Sequence, residues 1–167
     1  MITLFGYGSL MNKESLKQTI PNATNFRPAK LFGFIRVFNF PSPFRLSEID
    51  GKPCAVLNIE KSEWNEYING ICFDINDKDL QKFMEREKGY ELVKVNVEDY
   101  FSEKTFKANV FRALHFETTD FIFESKKQLE YLDLCITACK SIDQNFLDLF
   151  NSTTFIGNKT LKEIKFR

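Results

Sequence analysis

This chain reads as an α+β protein on three observations. Its 19 phenylalanines fall largely in short alternating runs, which suits an aromatic-rich β core. Strand-like segments dominate its middle. Between and after them lie stretches of helical periodicity that open on Asn or Ser caps, which a purely β chain would not need.

Taken in order, a short apolar strand, Met1 to Phe5, runs into Gly6-Tyr7-Gly8-Ser9-Leu10-Met11. Two glycines around an aromatic imply a tight turn that a ligand can approach closely. Asn12 caps a helix reading Lys13 to Ile20, so the free N–H groups of turn and helix start point one way and favour negative charge. Turns of this kind also join strands to helices where nothing binds. Ala29 to Phe40 is read as one strand, and Pro41, Pro43 and Gly51 as marking a polar loop. Cys54 to Ile59 and Ile68 to Ile75 follow, and together with Ala29 to Phe40 these segments look like paired strands.

Asn76 then caps a helix, Asp77 to Lys88, which Gly89 closes. Leu80, Phe83 and Met84 stand at i, i+3 and i+4 and define a buried stripe, and i+7 is Glu87. A carboxylate therefore lies on the apolar face, while Glu85 looks the other way. Val93, Val95 and Val97 alternate with Lys94 and Asn96 as a half-buried strand, and Phe106 to Leu114 is another. Ser125 with Gln128 forms a capping box that opens a mostly buried helix to about Lys140. A shorter helix, about Asn145 to Phe150, closes the fold.

The 167 residues suffice for one domain spanning residues 1–167. Balanced charge, 23 basic and 23 acidic residues with no basic cluster longer than a pair, argues against a nucleic-acid partner. With no leader-like start and no run of about 18 apolar residues, a cytoplasmic protein without membrane contact is expected. The four cysteines lack C-x-x-C spacing and are read as reduced and buried. A zinc site from Cys135, Cys139 and the single histidine, His115, is disfavoured because thiols in an apolar helix usually pack. No metal or cofactor is expected, and oligomeric state is left open.

A carboxyl group on an apolar face loses hydration, which raises its pKa from about 4.3 and lets it move protons near neutrality. The competing reading keeps Glu87 wet in the last helical turn or paired with Arg86. Beside a turn of free N–H groups, a sheltered Glu87 suits acyl transfer in which the substrate brings its own nucleophile. A single histidine and no G-x-S-x-G elbow leave little room for a Ser-His-Asp triad, so Ser9 is a hydrogen-bond partner and not an attacking group. Arg45 in the proline-bounded loop either meets a substrate carboxylate or is solvated. Trp64 either lines a pocket mouth or packs in its loop.

These residues resemble the γ-glutamylcyclotransferase-like proteins, AIG-type and ChaC-type branches included. Tyr7-Gly8-Ser9-Leu10 matches the family's Tyr-Gly-Ser-Leu motif after the first strand. Arg86-Glu87 before Gly89-Tyr90 stands where the family carries a glutamate at a helix end. Tyr131 matches a tyrosine near the start of a late helix, and Thr153 to Gly157 matches the ending. The resemblance implies a small mixed β-barrel-like sheet flanked by helices. It also implies a γ-glutamyl small molecule as substrate, whose free α-amine attacks its own γ-carbonyl to give 5-oxoproline and release an amine or amino acid. Glu87 would be the general acid/base. The backbone of Tyr7, Gly8, Ser9 and Leu10 would hold the substrate's carboxylate or oxyanion, with Tyr131 shaping the pocket. The leaving group is not specified. The alternatives are a non-catalytic small-ligand or partner-binding protein of the same fold, and an acyl transferase or amide hydrolase using the same cradle.

Overall fold

In the computed structural model, which describes residues 1–164 and Phe166, the chain opens with β1 (Ile2–Gly6), a short 3-10 helix (Ser9–Met11), α1 (Lys13–Thr19), β2 (Thr24–Phe32) and β3 (Phe34–Leu46). There follow β4 (Pro53–Lys61), β5 (Tyr67–Ile75), α2 (Asp77–Arg86), β6 (Glu91–Asp99) and β7 (Thr105–Arg112). The last part holds α3 (Lys126–Lys140), α4 (Gln144–Thr153), β8 (Thr154–Ile156) and β9 (Lys159–Thr160).

Five strands close a barrel in the order β1-β5-β2-β6-β7, sealed by a parallel contact between Leu4 of β1 and Asn109 of β7. The other strands form a second sheet, β4-β3-β8-β9. Alternation along the strands feeds two apolar clusters. Phe5 and Val110 belong to the larger one, and their neighbours Leu4 and Phe111 to a smaller one that also holds Leu16 of α1 and Phe83 of α2. In that smaller cluster Phe83 stacks between Phe73 and Phe111, with ring centroids 5.8 and 5.9 Å away, and so fastens α2 to the barrel wall.

The mixed barrel with flanking helices is the expected class, and several local expectations are corrected. Ala29 to Phe40 is two strands, because Gly33 adopts φ +84° and turns the chain from the barrel into the second sheet. The segment from Pro41 to Leu46 is not loop but the end of β3. Proline is accommodated there because β8 pairs with β3 only at Arg36 and Val37, leaving that side of Pro41 and Pro43 open, and because the register to β4 shifts between Pro41 and Leu46. Met84 is 42% exposed, so the stripe of α2 that is fully buried reduces to Phe83, flanked by the partly buried Leu80. The Ser125 capping box is half realised. Ser125 Oγ accepts from the Gln128 N–H at 3.2 Å, but the Gln128 amide pairs with both the N–H and C=O of Ala55 in β4, each at 2.8 Å. β8 and β9 are too short to leave a period in the sequence.

Among the described residues no helix is long and apolar enough to cross a membrane. His115 is exposed and Cys135 and Cys139 are buried, so the candidate zinc ligands are not brought together, and no cluster of three His, Cys, Asp or Glu among the described residues could hold a metal.

Candidate active site

The turn after β1 is built on glycine for want of space. A Cβ at Gly6 would lie 2.9 Å from Leu10 Cβ, and one at Gly8 would lie 2.7 Å from the Tyr131 hydroxyl. The short helix then closes through Met11 N–H to Gly8 O and Asn12 N–H to Ser9 O, both 3.0 Å. Asn12 caps α1 by accepting from the Ser15 N–H at 3.0 Å, and its amide donates to the Leu134 carbonyl at 3.2 Å, which ties the turn to α3.

Three tyrosines surround this turn. Tyr7 donates to the Phe111 carbonyl at 2.6 Å. Tyr131 accepts from the Leu57 N–H at 3.2 Å, and Tyr90 donates to the Leu57 carbonyl at 2.8 Å, so one residue of β4 is held from both sides. Burial pushes all three phenols up, so they act as hydrogen-bonding groups and not as phenolates.

Glu87 follows the last turn of α2 as its C-cap, with φ −95° and ψ 41°. Its N–H still bonds Phe83 O at 2.8 Å, its own carbonyl accepts from the Tyr90 N–H at 3.0 Å, and Gly89 at φ +92° reverses the chain into β6. The side chain is 14% exposed. It enters a small cavity of about 30 Å³ shared with Tyr7, Gly8, Ser9, Leu10 and Tyr131, whose walls include Phe5, Leu57 and Phe111. Ser9, Glu87, Tyr90 and Tyr131 also line an outer cleft of about 430 Å³, so the two spaces adjoin.

Burial raises the Glu87 carboxyl to about 7, against the opposing pull of Arg86, whose Nε lies 3.9 Å from Oε1. Arg86 is itself bonded to α1, at 2.9 Å to Thr19 Oγ1 and at 3.4 Å to the Ser15 carbonyl. The shelter does not come from the stripe of α2. Its apolar surroundings are instead Phe5, Leu57 and Phe111, supplied by other elements.

All six residues singled out in the sequence, Glu87, Tyr7, Gly8, Ser9, Leu10 and Tyr131, line one cavity. Arg45 is at the outer cleft with its guanidinium 5.4 Å from the Tyr131 ring, while Trp64 is 83% exposed in the turn between β4 and β5 and lines neither space. Leu57 and the fully buried Arg36 are not candidates on the sequence, where Tyr90 enters only as part of the Gly89-Tyr90 motif. Arg36 left one trace, a lone cation in the apolar run Phe34-Ile35-Arg36-Val37-Phe38. A larger surface cleft of about 680 Å³, between Asn39, Phe121 and Gly157, contains none of the site residues.

Residues 2–161 match the family model described as ChaC-like protein. The chain belongs to the ChaC-like family. Among solved structures, this ChaC-like chain is similar to a γ-glutamyl cyclotransferase at 16% identity, TM-score 0.73, over 95% of this chain and 90% of that one. A human protein, LOC79017, is similar at 18% identity with the same TM-score and the same coverage. A yeast γ-glutamyl cyclotransferase specific to glutathione is similar at 17% identity, TM-score 0.65, over 91% of this chain and 95% of that one. At these identities the likeness establishes the shared fold. No curated protein matches the sequence.

Proposed function

We propose that this ChaC-like protein is a γ-glutamyl cyclotransferase that converts a γ-glutamyl amide to 5-oxoproline and releases the amine. The observation that carries this reading is the sharing of one cavity by the Glu87 carboxyl, raised to about 7, and the turn of Gly8, Ser9 and Leu10. The substrate's α-ammonium gives one proton to Glu87 and attacks its own γ-carbonyl. A second proton leaves as that nitrogen becomes the ring amide. Both end on the departing nitrogen, so the C–N bond breaks to release an ammonium and the count balances. Backbone N–H groups of the turn hold the developing oxyanion or the substrate's carboxylate, a task that requires geometry and not a charged side chain. Ring closure is intramolecular, so a pocket that folds the substrate supplies much of the rate. Four free, buried cysteines fit a reducing cytoplasmic setting.

The test is incubation with a panel of γ-glutamyl compounds followed by detection of 5-oxoproline, with glutathione first because the yeast relative is specific to it. The expected outcome is 5-oxoproline from the parent and none from Glu87→Gln, which keeps shape but cannot carry the proton. Free glutamate as product would point to hydrolysis, and tight binding without turnover to a binding protein. Either outcome would overturn the proposal.

A further inference from the structure

We propose that Arg36 is a positioning residue of this site: its unpaired buried charge acts through the Tyr7 carbonyl to fix and strengthen the Gly8 N–H as a donor to the substrate's negative charge. This rests on the cyclotransferase reading for the identity of the anion.

Arg36 has no exposed surface, and all five of its N–H groups are used. Nε donates to Thr154 Oγ1 at 2.8 Å. Nη1 donates to the Tyr7 carbonyl at 3.0 Å and the Asn69 carbonyl at 2.7 Å, and Nη2 to Asn69 Oδ1 at 2.7 Å and Thr153 Oγ1 at 3.1 Å. The Phe150 ring covers it at 4.3 Å. Every one of these acceptors is neutral, and among the described residues no carboxylate pairs with it. Buried charges are ordinarily paired, because neutral dipoles only partly replace lost hydration. Burial lowers Arg36 to about 10, which still leaves it charged at neutral pH.

The direction of that charge follows from one peptide unit. The structure has no cis peptide among its described residues, so the Gly8 N–H points opposite to the Tyr7 carbonyl. The carbonyl faces Arg36. The N–H therefore faces away from it, on the residue that lines the Glu87 cavity, and among the described residues it donates to no backbone carbonyl. A carbonyl that accepts from a cation makes the N–H of the same peptide a stronger donor. An anion on that N–H would supply the counter-charge that the fold withholds from Arg36.

A merely structural Arg36 would tie β3, β5 and the α4–β8 junction together without caring about ligand charge. The experiment therefore compares two ligands by calorimetry: 5-oxoproline, an anion at neutral pH, and its neutral carboxamide. Arg36→Gln is expected to weaken the anion by about tenfold or more and the carboxamide by less than about twofold, with turnover reduced chiefly through a higher KM, because the carboxylate is held in ground state and transition state alike. Asn69→Asp serves as the second variant. It leaves Arg36 in place, sets a carboxylate on Nη2 and gives up the amide bond to the Phe146 carbonyl. It is expected to lower anion affinity similarly by quenching the charge. If Arg36→Gln does not fold, Asn69→Asp alone decides. Equal losses for both ligands, or an anion affinity unchanged in the folded variants, would overturn the inference. A parent protein that neither forms 5-oxoproline nor binds it would instead overturn the cyclotransferase reading.

Discussion

Glu87 carries a raised pKa because of where its carboxyl sits, with the nearby Arg86 guanidinium able to offset only part of the desolvation. The consequence for stability has a definite sign. A carboxyl raised from 4.5 to about 7 favours the folded state fully below about 4.5, and that contribution is lost as pH rises through 7. The difference is on the order of 3 kcal/mol between acid and alkaline limits. Glu87→Gln should therefore match the parent in urea unfolding near pH 4 and exceed it near pH 8. The kcat/KM of the parent should climb through about pH 7 as Glu87 ionises. Gly8 offers a second test. Gly8→Ala places a methyl 2.7 Å from the Tyr131 hydroxyl and should lose about 1–3 kcal/mol of stability as well as activity. Adding Tyr131→Phe removes the obstructing oxygen, so the double variant should recover part of the stability lost by Gly8→Ala in a double-mutant cycle.

At the scale of elements, the site depends on how α2 ends. Asn76 starts the helix by accepting from the Asp79 N–H at 2.9 Å, and Gly89 at φ +92° stops it two residues after Glu87. A Cβ at Gly89 would also meet Phe40 Cζ at 2.7 Å, and Phe40 packs 4.5 Å from the Tyr90 ring that holds Leu57. Gly89→Ala should therefore lower the melting temperature by an amount equivalent to about 1–2 kcal/mol. Because the strain falls on the Tyr90 wall of the cavity, turnover should fall with it. The start of α3 is reinforced in another way. Glu48, from the turn after β3, accepts from the Lys127 N–H at 3.0 Å and from the Ser125 hydroxyl at 2.9 Å, which holds its carboxyl below the usual range. Its place at a helix N-terminus favours the ionised form as well.

Across the whole molecule, the helices are fastened to the barrel at a few residues, and Phe83 is one of them. It is fully buried between Phe73 and Phe111, so Phe83→Ala should cost about 3–5 kcal/mol in chemical denaturation. Because α2 would then seat loosely on the barrel, activity should fall further than in a helix-cap variant of equal stability. That α2 carries Glu87 at its end explains why an apolar side chain one turn before the carboxylate matters to the chemistry.

Much of this was legible along the chain. Residues 6–11 showed the glycine turn, capped helices showed their starts at Asn12, Asn76 and Ser125, and the combination of Glu87 with Gly89-Tyr90 marked the candidate acid/base. Those signals are local: a glycine, a cap or a helical phase acts within a few residues, so the order of residues suffices to reveal it. What shelters Glu87 was not legible in this way. Met84 proved exposed, the cap left the helical phase, and the shelter came from Phe5, Leu57 and Phe111 on three separate strands. Arg36 is the extreme case, since its five acceptors lie 29 to 118 positions away and no pattern within its own strand announces them. Sequence alone determined which groups could do chemistry and where the backbone must turn. Only the tertiary assembly of barrel, second sheet and helices decided which of those groups face one another, because dehydration and buried charge depend on neighbours that the chain supplies from distant segments.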